Sequence, residues 1–326
     1  MPSIKFQHIP CHTESGLAYQ HLHIQIATSN GLIEPHDLKG LKLPKEMIWN
    51  QGVVLEGKAP IWLYSYLTHL CHPTAWVACF DPRMGGAVVT STHSDAVEVG
   101  QVLKVKLSRL VNQQSAIEHN IPTQCDRDSG SAILVCGPPG SGKSVLSYAL
   151  RASLILRFPE LPFLLHRANW DGEGNWSYET PDSKLVEQLV QEHERRMHIN
   201  PETVMEIPFF FDRHTNATVS LREVLDLSIV DLGGRIQPEK YPLVERCTHS
   251  IIISSDPDKI PEWQQFCEPT LKPIAIIHSV LENRLEILRT EPYLEIIAGP
   301  WERGKTLTVP DILLDAVIKH CLPWLQ

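Results

Sequence analysis

The segment Gly137-Pro138-Pro139-Gly140-Ser141-Gly142-Lys143-Ser144 matches G-x-x-x-x-G-K-[ST] at every fixed position. It sits between the apolar run Ser131 to Cys136 and an apolar-periodic helix through Ala149 and Leu154. In that setting backbone N–H groups and a helix N-terminus can wrap a phosphate. Lys143 is expected to reach the β and γ phosphates of ATP, and the Ser144 hydroxyl to ligate magnesium, a hard cation that shares oxygen ligands with phosphates. Asp231 follows the run Leu227 to Val230 and is expected to act on that magnesium through a water. The spacing Asp231 to Gly234 offers a backbone N–H that senses the γ-phosphate, although a strand ending in Asp-x-Gly-Gly is equally a common turn. Asp171 and Glu173, in the glycine-rich stretch 169–176, are open between a capped turn and a contact to metal-bound or attacking water. These residues do not separate an ATPase from a small-molecule kinase.

A second concentration of reactive groups lies far upstream, in Lys58, His69, His72, Asp81, Arg83 and His93. Taken singly, His69 reads as a solvated helix-face residue, His93 as a turn histidine and Lys58 as a surface charge. Asp81 and Arg83, at the end of an apolar run, are open between a turn cap and a ligand contact.

The elements that would hold these groups follow from periodicity. Leu17 to Ile26 alternates as a half-buried strand, and Gly52 to Glu56 reads as a second. From Ile61 the apolar positions keep helical spacing until Pro73 forces the chain out, which sets His72 at a helix end. Ala75 to Phe80 reads as a buried strand closed by Asp81-Pro82-Arg83, with further strands at Ala87 to Ser91 and Val102 to Leu107. Downstream, strand-like runs at Phe163 to Arg167, Leu227 to Asp231, Ser250 to Ser254, Pro273 to His278 and Leu294 to Ile297 alternate with helical patterns, as in a doubly wound, mostly parallel sheet. The fold class expected is therefore α/β: a small α+β domain over residues 1–112, an exposed linker over 113–130 and a P-loop NTPase domain over 131–326.

Composition limits the partners. The net charge of −9 resides wholly in the second part: residues 1–120 hold nine basic and nine acidic side chains, residues 121–326 hold 20 against 29. An acidic P-loop half is a poor non-specific binder of nucleic acid, so no DNA partner is expected. Nine of the sixteen histidines lie in the neutral part, which suits a small anion better than a long phosphate backbone. The eight cysteines show no C-x-x-C spacing and read as small buried hydrophobes in a reducing compartment. With no leader pattern and no run of 18 apolar residues, a cytoplasmic protein without a membrane partner is expected.

Four blocks of the first domain, taken in order, resemble a known family: Gly57-Lys-Ala-Pro-Ile-Trp-Leu63, Leu67-Thr-His-Leu-Cys-His72, Asp81-Pro-Arg-Met-Gly-Gly-Ala-Val-Val89 and Thr92-His-Ser94. The chain is similar to the ring nucleases of type III CRISPR systems that degrade the messenger cyclic tetra-adenylate, in the version fused to a C-terminal AAA-type P-loop domain. The resemblance implies a Rossmann-like, CARF-related dimer that cleaves the ring to linear di-adenylates with manganese assistance and so switches off antiviral signalling. It implies that His72 and Asp81 are catalytic, with manganese at Asp81, and that Arg83, Lys58, His69 and His93 contact the ring. Arg often stands in the family where Lys58 stands here, and Lys offers a point charge in place of a planar fork. It also implies an ATP-binding domain that assembles or regulates the nuclease as a homo-oligomer. RNA cleavage needs a deprotonated 2′-hydroxyl, positive charge on the phosphate and an acid at the leaving oxygen, which these residue types can supply. The alternative is a P-loop ATPase or small-molecule kinase whose first domain only binds the messenger or a partner.

Overall fold

The computed structural model describes residues 3–28, 33–105, 129–169, 206–303 and 306–325. The chain divides into two compact units, Met1–Glu118 and His119–Gln326. The expected linker falls largely outside the described residues, as do Asp171 and Glu173.

The first unit is a six-stranded mixed sheet in sequential order, β1 (Ile4–His12), β2 (Ala18–Ile26), β3 (Gly52–Gly57), β4 (Trp76–Asp81), β5 (Gly86–Thr92) and β6 (Val102–Leu103). β2, β3 and β4 run parallel, while β1 and the pair β5, β6 are antiparallel additions on either side. Helix α1 (Ile61–Cys71) crosses from β3 to β4 and seats Leu63, Leu67 and Cys71 on Leu22, Ile24, Val53, Leu55 and Val77. The two-residue period of a strand turns Val54, Trp76 and Ala78 to the opposite face, where they meet Tyr19, Ala87, Val89 and Leu103. A parallel strand covered on both faces should read as a continuous apolar run, and Val53-Val54-Leu55 does.

Two strands were not anticipated from periodicity. β1 contains Pro10, which argues against a strand, yet among the described residues β1 has β2 as its single neighbour, and a strand at the rim tolerates a missing donor. In the second unit β12 (Arg284–Arg289) is exposed along nearly its whole length, so its short polar and apolar alternation marks no buried face.

The second unit is a seven-stranded sheet ordered β12-β13-β11-β10-β7-β9-β8, parallel throughout except for the antiparallel rim strand β12. Its strands are β7 (Ser131–Cys136), β8 (Phe163–Ala168), β9 (Leu227–Leu232), β10 (His249–Ser254), β11 (Lys272–Ser279) and β13 (Leu294–Gly299), besides β12. Helices cover both faces: α2 (Lys143–Arg157) and α6 (Asp311–Cys321) pack on one, α3 (Ile207–Val224), α4 (Tyr241–Val244) and α5 (Ile260–Cys267) on the other. The doubly wound α/β architecture expected for this half is the one observed.

His249 makes the second unit's stability pH-dependent. It opens β10, is 7% exposed, and its Nδ1 lies 2.8 Å from the Thr248 hydroxyl. Burial, followed by His320 and Lys272, pushes its pKa from 6.5 down to about 4. The unfolded chain therefore takes up the proton first, so this contribution is full above pH 6.5 and is lost as the pH falls toward 4. The urea midpoint should drop across that window, and less steeply in His249→Gln. Identical slopes in the two proteins would show that another group carries the effect.

Candidate functional site

In the second unit, β7 ends at Cys136 and α2 begins at Lys143, so the intervening loop lies outside the carboxyl end of a central parallel strand, where ligands of such sheets collect. Gly142, the residue before α2, has φ of 91°, and a Cβ there would meet the Trp301 Cβ at 2.6 Å. Glycine is therefore required at that position both by conformation and by space. Ser141 Oγ and Lys143 Nζ each donate to the Pro138 carbonyl at 2.6 Å, drawing the loop around the lysine. Lys143 is 7% exposed; burial lowers its pKa, opposed by the charge of Asp231.

Asp231 stands on β9 beside β7, with Val135 as its register partner. It is 1% exposed, and neither carboxylate oxygen has a hydrogen bond of normal geometry. Burial raises its pKa against the opposing pull of Arg167, the Ser144 hydroxyl and Lys143. A buried carboxylate with uncommitted oxygens beside a serine hydroxyl suits magnesium held through oxygen and water, so the residues present fit the ion. Gly234 abuts the loop: a Cβ there would stand 2.7 Å from Pro139 N and 3.0 Å from Lys143 Nζ. Sequence reasoning missed Arg167. It lies opposite Asp231 in the β8–β9 register, with Nε 3.6 Å from Oδ2. An arginine ending a buried strand was the available signal.

In the first unit the six candidate residues fall into two groups. Gly57 ends β3 and Asp81 ends β4, so Lys58, Asp81 and Arg83 share the carboxyl edge of the parallel strands. His72 caps the far end of α1, with His69 one turn before it, and His93 follows β5, whose last residue pairs with the first of β4. The three histidines therefore share the amino edge. His72 and His93 stack edge to face at 4.5 Å between ring centroids, and His93 Nε2 lies 3.1 Å from the His72 carbonyl and 3.4 Å from its Nδ1. His69 is an exposed helix-face residue.

At the other edge Asp81 is a turn cap. It accepts from the backbone N–H of Arg83 at 2.9 Å and from that guanidinium at 3.0 and 2.7 Å, and Gly85, at φ of 59°, closes the turn. A guanidinium has five N–H donors, and two are given to Asp81, which leaves Arg83, 58% exposed, able to meet an anion as well. Manganese at Asp81 is a poorer fit. Both carboxylate oxygens are engaged by Arg83, and among the described residues no further His, Cys, Asp or Glu gathers with Asp81 as a ligand set. Asp81 is built to hold a guanidinium in place rather than to ligate a metal.

Residues 26–104, which hold both edges, match the family of CRISPR-associated proteins designated Cas_csx3. The first unit is similar to the Cas_csx3 family. Over 73 residues the chain is 49% identical to an uncharacterized protein of Aquifex aeolicus (strain VF5), a stretch covering 22% of this chain and 66% of that protein. The chain thus spans slightly under two thirds of this relative. Among solved structures it is similar to the septum site-determining protein MinD, complexed with Mg-ADP, from Pyrococcus horikoshii OT3, at 12% identity and a TM-score of 0.32 over 57% of this chain and 77% of that one. An apo-form GTPase from Pyrococcus abyssi gives 15% identity and a TM-score of 0.29 over 45% of this chain and 66% of that one. The chain joins a region matching the Cas_csx3 family to a doubly wound α/β unit that carries the phosphate-loop sequence Gly137 to Ser144. No helix among the described residues is long and apolar enough to cross a membrane.

Proposed function

We propose that the chain is a ring nuclease that binds cyclic tetra-adenylate, cleaves it to linear di-adenylates and thereby ends type III CRISPR antiviral signalling, with an ATP-binding half that assembles or regulates it. The observation that carries this reading is the division of the reactive groups between the two edges of one sheet, inside the stretch matching Cas_csx3. Arg83 and Lys58 offer positive charge to a ring phosphate, Asp81 orients Arg83, and the paired His72 and His93 can take or give a proton. β4 carries the chain about 20 Å between Asp81 and His72, at roughly 3.3 Å per residue. One copy does not readily bring both edges to the same phosphate, so the site is completed by a second copy.

The test is incubation of the protein with cyclic tetra-adenylate, with and without ATP and with magnesium or manganese, followed by chromatography of the products. Linear di-adenylates are expected. An intact ring after long incubation at high protein concentration, together with ring-stimulated ATP consumption, would overturn the nuclease reading. The specific observation on that side is the Asp81–Arg83 pair itself, since a carboxylate already engaged by its neighbour suits binding without chemistry.

A further inference from the structure

We propose that His21, His23 and Glu56 form a binding site for a divalent first-row transition-metal ion. His21 and His23 are two apart on β2, so both project from the face opposite α1. In the parallel β2–β3 register His23 faces Glu56 and His21 faces Val54, which brings the carboxylate against both imidazoles. His23 Nδ1 makes a short contact with Glu56 Oε2, and His21 Nε2 lies 3.4 Å from the same oxygen. One ligand atom from each of the three residues falls within 4.8 Å of the others.

The independent observation is His21. It is 1% exposed, and neither ring nitrogen makes a hydrogen bond of normal geometry. A buried polar side chain is ordinarily hydrogen-bonded, and an imidazole aimed at a carboxylate without bonding it is arranged as a ligand would be. Metal bonds of about 2.0–2.2 Å place neighbouring ligand atoms roughly 3–3.5 Å apart, so small side-chain rotations convert the present cluster into a coordination shell. Two imidazoles and one carboxylate select zinc, manganese, iron or cobalt over magnesium or calcium, and three protein ligands leave positions open to water or an anion.

The site lies at the carboxyl edge of β3. Leu55 faces Cys79 across β3 and β4, so the cluster is one strand away from Asp81 and Arg83. His21 and His23 precede the stretch that matches Cas_csx3, so that match does not cover them. Binding here does not rest on the ring-nuclease reading, because metal uptake is measured whether or not any ring is cleaved.

The test uses the full chain, stripped with a chelator and free of nucleotide, in excess magnesium chloride to occupy oxygen-ligand sites at Ser144 and Asp231. Titration with cobalt chloride should give visible ligand-field bands saturating at one equivalent, and calorimetry with zinc or manganese chloride should give the same stoichiometry. Glu56→Gln, which keeps the shape of the side chain, and His23→Ala, at the more exposed ligand, should each weaken binding by more than the ~10–100-fold typical of supporting residues. Asp81→Asn should bind as the parent does. Wild-type affinity in both ligand variants, or no binding by the parent chain, would overturn the proposal. So would loss of binding in Asp81→Asn alone.

Discussion

Lys143→Ala should lower the affinity of the full chain for ATP by at least ~100-fold, about 2.7 kcal/mol, the worth of one or two charge-assisted hydrogen bonds to phosphate. The expectation rests on where the ammonium is held. Lys143 is nearly buried, its Nζ is fixed against the Pro138 carbonyl inside the loop, and Gly234 crowds its other side. Removing the amine deletes the one side-chain cation of the phosphate-binding loop and leaves Ser141 Oγ as the remaining side-chain donor to the Pro138 carbonyl. Lys143→Met, which keeps the apolar stem, separates the two effects: both variants should lose nucleotide, and Met should better preserve thermal stability. Calorimetric titration with Mg-ATP is the measurement. Unchanged affinity in both would mean that the loop does not bind nucleotide through Lys143. Neither variant touches the first unit's candidate residues, so ring cleavage should survive in each, altered only through assembly.

His72→Ala and Asp81→Ala should each lower ring cleavage at least ~100-fold, as expected for loss of a positioned proton-transfer or charge-stabilising group. Mixing the two inactive proteins should return part of the activity. If an active centre takes the histidine edge from one copy and the Asp81–Arg83 edge from another, random pairing under subunit exchange leaves roughly a quarter of the centres intact. Cleavage per mole should also fall on dilution. Failure of the mixture to recover any cleavage, with a rate per mole insensitive to dilution, would place both groups in one copy and contradict the argument from the length of β4. Parent-like rates in the single variants would remove His72 and Asp81 from the chemistry altogether.

The readability of this fold from its sequence varied with what each residue contacts. The central strands of both sheets were legible because both faces of each are apolar. Val53-Val54-Leu55 and Ile133-Leu134-Val135 cannot be anything but covered. The helix end at His72 was legible because Pro73 leaves it no alternative. Boundaries moved by a residue or two where ladder hydrogen bonds run past the apolar core, as at Trp76–Asp81. Rim strands were missed for the reason that makes them rims: Pro10 withholds a donor, and Arg284–Arg289 presents no buried face. Of the P-loop site, the motif and Asp231 were visible because one is contiguous and the other ends a strand. Arg167 was not, since its significance lies in a register with a strand far downstream. The same holds for His21, His23 and Glu56. An excess of histidines in the first half was evident, but only the β2–β3 pairing shows which of them share a carboxylate.

The proline in β1 carries a consequence for how copies of the first unit can meet. A strand with one bare side is ordinarily a template on which another strand can grow, and proteins blunt such sides with devices that withhold a donor. Pro10 does this in the last third of β1, opposite Gln20 of β2. Continuous sheets built across that border are disfavoured, and growth of fibres by strand addition is disfavoured with them. The composite site proposed above would therefore have to join copies through surfaces other than that border.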